Sequence, residues 1–590
     1  MNNKMDIKEG YIIDYISGEH IKATPEEIEA VQVFSKILVE DYEYPSTFIQ
    51  TRPQYRVKVR PSDTKKEYPI DIGVFTSDTK NDNTIQIIVE CKKKNRTDGL
   101  EQLKDYLRFS SAELGVWFNG NQKLFIRKYE KSGKVLFQEI PNIPKYKQRI
   151  EDIGRFYRKD LKPAINLKSI FKTIRNYLAA NNVGATRDEV LAQELINIIF
   201  CKIYDEKFTR KDDIVTFRAG IEENPEVIAK RIQDLFVEVK KKYNDVLDKT
   251  DVISLDAKSI VYVVGELQNF CLTDSSRDAI GDAFEVFIDH ALKGGQGQFF
   301  TPRNVVKMVV EMVDPSTDDK ILDPACGSGG FIIEAMRYVW DKIEKEGKRL
   351  NWPDHEIEIE KQKVAIKNLR GIDKDYFLSK VAKAYMALLG DGRGGIFCEN
   401  SLEIPKNWSK KTQTEIKFES FDVIITNPPF GAKLPVTGND ILEQYEFGLK
   451  WTYDKKEKSW IKGKLKDKEA PQILFIERCL QLLAPGGKLG IVLPDGILGN
   501  DKLGYIRNSI INKAKILAIV DVPIETFMPH TSTKTSILIL QKNLDSIEQK
   551  DYQVFMAIAE TCGHNRRGDI EEDDDISKIS KLFKEWEHGK

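Results

Sequence analysis

The chain has 590 residues, 41% of them hydrophobic and 31% charged, with Lys+Arg 91 against Asp+Glu 92, which is ordinary for a water-soluble chain of roughly three to four domains. No run of about 18 apolar residues occurs, and Met1 to Gly10 carries mixed charge with no apolar signal core, so neither a membrane span nor a secretory leader is expected. The net charge of -1 argues neither for nor against a polyanionic partner, because phosphate contacts need only a local basic surface.

The seven cysteines (91, 201, 271, 326, 398, 479 and 562) stand far apart with no Cys-x-x-Cys. This spacing predicts reduced thiols in a cytoplasmic protein and no zinc site. At the N-terminus, Thr24-Pro25-Glu26-Glu27 reads as a helix start, with Thr as cap, Pro first and acids in the first turn. Ile28, Val31, Phe34, Ile37 and Leu38 then recur at helical spacing. Residues 70–75 and 85–91 have strand character, and the polar stretch 77–83 between them predicts a hairpin.

On the second strand Glu90 and Lys92 share one face, because side chains alternate. A hairpin can bring Asp71 opposite them, though the sequence does not itself show that Asp71 faces Glu90. Two carboxylates can hold Mg2+ through oxygen, and a lysine can position or deprotonate a water. The plain alternative for so short a pattern is a solvated surface, as it is for the basic run 91–96.

From about 150 to 290 the pattern turns helical, with long apolar-periodic stretches at 190–200 and 260–270. Beyond 320, β-branched runs at 320–322, 423–425 and 489–493 alternate with helical segments, which predicts an open α/β sheet. Asp323-Pro324-Ala325-Cys326-Gly327-Ser328-Gly329-Gly330-Phe331 joins a strand to a helix. Its glycines permit a tight turn and close approach of backbone to ligand. Asp373, after the next strand, suits a ribose diol; its plain alternative is a turn acid. A third strand runs into Asn427-Pro428-Pro429-Phe430. The prolines fix the backbone and remove donors. The Asn427 oxygen and Pro428 carbonyl can accept from an exocyclic amine, and Phe430 can stack on its ring.

These elements together resemble the N6-adenine DNA methylases of restriction-modification systems, in particular the type I modification subunit. Asn427-Pro428-Pro429-Phe430 matches the catalytic motif of that family, and Asp323 to Phe331 its methyl-donor loop. Gln298-Phe299-Phe300-Thr301-Pro302 matches the upstream element whose Thr-Pro contacts the methionine part of the cofactor. Pro494-Asp495-Gly496 and the stretch 531–536 resemble later elements, and the motif order is that of the gamma class. The resemblance spans about 160 to 570. It implies S-adenosylmethionine held by these residues, by Asp373 and by Asn400-Ser401-Leu402, where Asn400 stands at a position at which the family often has Asp. It implies transfer to a flipped adenine of double-stranded DNA.

Asp71 with Glu90-Cys91-Lys92 resembles the PD-(D/E)XK nucleases. Gln102 and Tyr106 give the Gln-x-x-x-Tyr motif of the N-terminal nuclease domain of type I restriction subunits. That resemblance implies Mg2+ on Asp71 and Glu90, and catalytic roles for Lys92, Gln102 and Tyr106.

The expected architecture is multi-domain α/β. An α+β PD-(D/E)XK-like domain occupies 1–150, a helical connector 151–290, a Rossmann-like methyltransferase domain 291–545 and a polar tail 546–590. The nuclease-methylase combination resembles type IIB and IIG subunits. The stretch after the last methylase motif is too short for a target-recognition domain, so a separate specificity subunit and a hetero-oligomer are expected. Three alternatives stay open: a non-cleaving N-terminal DNA-binding appendage, a protein-glutamine or RNA-guanine acceptor, and a non-enzymatic scaffold.

Overall fold

The computed structural model describes residues 10–58, 67–164, 166–181, 188–275, 301–389, 392–431, 435–529, 531–544 and 552–589. They fall into two compact units, one within 1–290 and one within 291–590, residues 245–247 grouping with the second. Among the described residues no helix is long and apolar enough to cross a membrane.

In the first unit the Thr24 hydroxyl accepts from the Glu27 N–H at 3.2 Å, capping the expected helix. A π turn over Glu27–Val31 leads into α1 (Gln32–Glu40). A six-stranded sheet follows, of β1 (Ile49–Gln50), β2 (Ile72–Phe75), β3 (Ile85–Cys91), β4 (Leu114–Phe118), β5 (Lys123–Lys131) and β6 (Lys134–Ile140), in the order β6-β5-β4-β3-β2-β1. The loop 76–84 joins β2 to β3 as an antiparallel pair, as expected. β3 and β4 run parallel, which requires a crossover, and helix α2 (Leu100–Arg108) supplies it. One sheet face packs on Phe34 and Leu38 of α1, the other on Leu103 and Leu107 of α2. Coverage of both faces explains why β3 is a near-continuous apolar run.

Among the described residues this unit also holds the helices α3 (Leu167–Asn181), α4 (Asp188–Phe208), α5 (Pro225–Lys242) and α6 (Ala257–Leu267). The Asn224 side chain caps α5 on the Glu226 N–H, with Pro225 at the first position. The segment expected to be helical through 270 stops at Leu267, because Phe270–Cys271 pairs in parallel with Lys162–Pro163. The stretches read as separate 1–150 and 151–290 domains lie within one compact unit.

The second unit is built on eight strands: β7 (Ile321–Asp323), β8 (Leu369–Asp373), β9 (Ile396–Cys398), β10 (Phe421–Thr426), β11 (Leu483–Pro494), β12 (Ala514–Asp521), β13 (Thr535–Lys542) and β14 (Phe555–Ile558). Their order is β9-β8-β7-β10-β11-β13-β12-β14. β7 to β11 are parallel, and β13 is antiparallel to both its neighbours. The winding direction reverses between β7 and β10, which opens a crevice at their carboxyl ends.

The stretch 546–590, read as a tail, departs from that expectation. β14 extends the sheet, and the helix Ile576–His588 buries Phe583. On that helix the Ser580 hydroxyl donates to Glu311 and Lys584 donates to the Tyr338 hydroxyl at 2.9 Å. Polar composition hid an amphipathic helix whose apolar side closes this end of the unit.

Candidate active sites

At the carboxyl ends of β7 and β10 lies a cavity of about 360 Å3. Its floor is the turn after β7. Gly327 and Gly329 both adopt positive φ, 53° and 94°, which side-chain-bearing residues rarely do. Gly329 also opens the helix Gly330–Arg349, and a Cβ there would sit 3.3 Å from Ala382. A Cβ on Gly327 would meet no atom within 4 Å, so that backbone faces open space.

The turn is tied to β8. The Cys326 N–H donates to the Ile372 carbonyl at 2.9 Å, and the Gly327 N–H to Asp373 Oδ2 at 2.9 Å. Asp373 Oδ1 accepts from the Asp375 N–H at 2.8 Å. A carboxylate has roughly four acceptor sites, so capacity remains for a diol. Burial pushes the Asp373 carboxyl above the usual range. Asp323 is 1% exposed, and burial pushes its carboxyl up to about 7.

On the third side, Ser401 donates to the Pro324 carbonyl. Asn400 Oδ1 accepts from the Leu402 N–H at 3.1 Å, which commits the oxygen locally and leaves the amide nitrogen to donate. Asn427, Pro428, Pro429 and Phe430 line the opposite wall. Asn427 Nδ2 donates to the Thr301 hydroxyl at 3.0 Å, while its buried Oδ1 has no hydrogen-bond partner. A buried acceptor left unpaired is costly. Asn427 itself lines the cavity.

The structure thus brings Thr301, Asp323 to Ser328, Phe331, Asp373, Asn400 to Leu402 and Asn427 to Phe430 around one cavity. Pro302 caps the helix Arg303–Val313 behind Thr301. Gln298, Phe299 and Phe300 lie outside the described residues. Pro494-Asp495-Gly496 and 531–536 meet each other, the Ser536 hydroxyl donating to Asp495. Sequence reasoning missed Lys374, Leu378, Val436, Thr437, Ile441, Pro471 and Phe475 on the cavity wall. Lys374 follows Asp373 directly and Leu378 lies in the opening turn of the next helix, a proximity that could have flagged them; the others carry no motif.

In the first unit, Ile72 pairs with Val89 across β2 and β3, so Asp71 and Glu90 occupy the next position of the ladder. Asp71 Oδ2 accepts from the Cys91 N–H at 2.7 Å, and Glu90 forms an ion pair with Lys92. Burial raises both the Asp71 and the Glu90 carboxyl above the usual range, with the Asp71 charge adding to the effect on Glu90. Gly99, at φ 98°, passes over this pair: a Cβ there would sit 2.7 Å from Lys92 Cε. On α2, Gln102 Nε2 donates to the Tyr106 hydroxyl at 2.5 Å, which reaches the Pro69 carbonyl at 3.4 Å. Glu26, read from sequence only as a first-turn acid, adds its negative field to both carboxylates. Among the described residues no group of three or more His, Cys, Asp and Glu side chains has metal-ligand geometry.

A family model described as N-6 DNA Methylase matches residues 275–590. A second, described as Type I restriction enzyme R protein N terminus, matches residues 25–144. The chain is 27% identical over 380 residues to the type I restriction enzyme EcoEI methylase subunit of Escherichia coli, covering 64% of each chain; it therefore spans less than two thirds of that relative. It is 22% identical over 254 residues to the type II restriction enzyme and methyltransferase RM.BcgI of Heyndrickxia coagulans, covering 43% of this chain and 32% of that one. A solved structure from work on complex assembly and conformational transition of the type I R-M system shares the fold. Its TM-score is 0.50 at 18% identity, covering 72% of this chain and 84% of that one.

Proposed function

Because this chain belongs to the N-6 DNA methylase family, we propose that it methylates the exocyclic N6 of adenine in double-stranded DNA, using S-adenosylmethionine. In this reading it is a modification subunit that works in a hetero-oligomer with a separate specificity subunit. One observation carries the reading: Asn427, whose buried Oδ1 has no partner, lines one cavity with Phe430, the Gly327 turn and Asp373.

The donor set fits the cofactor. The Gly327 backbone is open to a ligand, Asp373 retains acceptor capacity for ribose hydroxyls, and Asn400 can donate to an adenine ring. The bound cofactor would supply an electrophilic methyl group. The chain's part is then placement. Asn427 Oδ1 and the Pro428 carbonyl accept from the amine, orienting its lone pair. Phe430 stacks on the flipped base. Thr301 holds the Asn427 amide so that its oxygen faces the amine. Transfer of a labelled methyl group to unmethylated DNA, by the chain with its specificity polypeptide, tests this. Absence of N6-methyladenine under all conditions would sink it.

A second activity in the first unit is supported by a separate observation. Glu90 is buried between half-buried Asp71 and Lys92 and is ion-paired to Lys92, and the family model over 25–144 is that of a restriction-subunit N-terminus. We read this as a Mg2+-dependent DNA-cleaving site. Two carboxylates suit a hard cation that retains several waters, and a bound cation would relieve the burial of two like charges. Loss of double-strand cuts in Glu90→Ala with methylation retained is the expected result. Methylation without cuts in either protein would leave the first unit a DNA-binding appendage.

A further inference from the structure

A two-stranded hairpin of the second unit is formed by Leu449–Asp454 and Ser459–Leu465. We propose that it grips the DNA sugar-phosphate backbone beside the base-binding cavity, which rests on the reading of this unit as a DNA methylase.

Charge is the first argument. Between 449 and 468 there are eight lysines against three acids, in a chain whose net charge is -1. Two of these lysines are neutralised, Lys462 on Glu446 at 2.9 Å and Lys466 on Glu469. Lys450, Lys455, Lys456, Lys458, Lys464 and Lys468 are exposed and have no acidic partner among the described residues. At the tip the Asp454 carboxylate is spent on the turn, accepting from the Lys456 N–H at 2.8 Å and the Glu457 N–H at 3.3 Å.

Rigidity is the second. The Trp451 ring stacks on Tyr505 at 5.5 Å, and Trp460 meets the same ring edge-on at 5.6 Å. Gly504 is part of this seat, since a Cβ there would lie 2.7 Å from the Trp460 ring. The Trp451 indole donates to the Glu446 carbonyl at 3.0 Å. Trp460 stands one residue from the last strand pair, so these contacts hold the hairpin almost to its turn and fix the lysines it carries.

Position is the third. Lys468–Glu469, leaving the hairpin, pairs with Val436–Thr437, and Val436 and Thr437 line the cavity. The arm therefore starts from the cavity wall. At about 3.3 Å per residue its strands reach roughly 20 Å, while duplex DNA carries a phosphate charge every ~1.7 Å. The arm spans several phosphates flanking a base in the cavity.

The test is the full chain with Lys455→Gln, Lys456→Gln and Lys458→Gln combined, against a triple arginine variant that keeps the charge. Binding of a fluorescent duplex is followed across a series of KCl concentrations, alongside cofactor binding, methyl transfer and retention of the specificity polypeptide. The glutamine variant should flatten the dependence of log affinity on log salt by about 2 to 3, at about 0.9 per lost phosphate contact, and weaken binding at least tenfold at low salt. Cofactor affinity should stay within twofold, and arginine should restore the slope. An unchanged slope overturns the proposal, as does a wild-type chain that does not bind duplex. Loss of the specificity polypeptide with the DNA slope intact also overturns it and makes the arm a protein-docking surface. A wild-type chain that binds duplex but never methylates it would instead count against the methylase reading.

Discussion

Asn427 donates its amide hydrogen to the Thr301 hydroxyl and keeps its own oxygen buried and unpaired. The bond fixes which way round the amide sits in the cavity wall. Asn427→Ala should therefore lower methyl transfer by roughly a hundredfold or more, as loss of a preorganised polar group in a water-poor site does, with cofactor affinity little changed. Thr301→Val should cost less, about tenfold in kcat, the scale of one hydrogen bond. Steady-state kinetics with parallel calorimetric cofactor binding would check both. Equal loss of cofactor affinity in Asn427→Ala would contradict the assignment.

Asp373 both braces the donor turn through the Gly327 N–H and, in the proposed function, accepts the ribose hydroxyls. Asp373→Ala removes both. Cofactor affinity should fall roughly tenfold or more, since hydrogen bonds to a charged group contribute about 1.5–3 kcal/mol each. Isothermal titration would read this, and an unchanged Kd would return Asp373 to the role of a turn acid.

The buried Asp323 carboxyl makes stability depend on pH. Its pKa in the fold is about 7 against an ordinary 3.8, so the folded chain holds this proton where the unfolded chain has released it. Its contribution is fully present below 3.8 and is lost as pH rises toward 7. Asp323→Asn should flatten the fall in melting temperature between about pH 5 and pH 8, because an amide does not titrate. Calorimetry of both proteins across that range decides the point; identical pH profiles would count against it.

Asp71 and Glu90 have raised values for the same first reason, burial, so a bound divalent cation should stabilise them. In the proposed cleavage reading, Mg2+ should raise the melting temperature of the wild type and leave Asp71→Asn with Glu90→Gln unmoved. A hundredfold excess over Kd corresponds to about 2.7 kcal/mol. The inert ion Ca2+ can stand in, so the readout does not depend on cutting. A shift of equal size in the double variant would remove the metal from this site.

The sequence by itself determined the strands and their alternation, the glycine turn after Asp323 and the tetrad at Asn427, because these depend on local properties: positive φ, fixed proline torsions and side-chain periodicity. It put Glu90 and Lys92 on one strand face and left open whether Asp71 faces Glu90, which the pairing of β2 with β3 decided. The tertiary structure decided the rest. Thr301 meets Asn427 across 126 residues, and the winding reversal between β7 and β10 creates the cavity that both face. Val436, Thr437, Pro471 and Phe475 reach that wall only through packing, so no local pattern marks them. The helix at 576–588 looked like a polar tail because its apolar face is narrow, and only the surface it covers shows that it is core. Composition gave a neutral chain, since acids elsewhere cancel the lysines that the hairpin at 449–465 gathers on one arm.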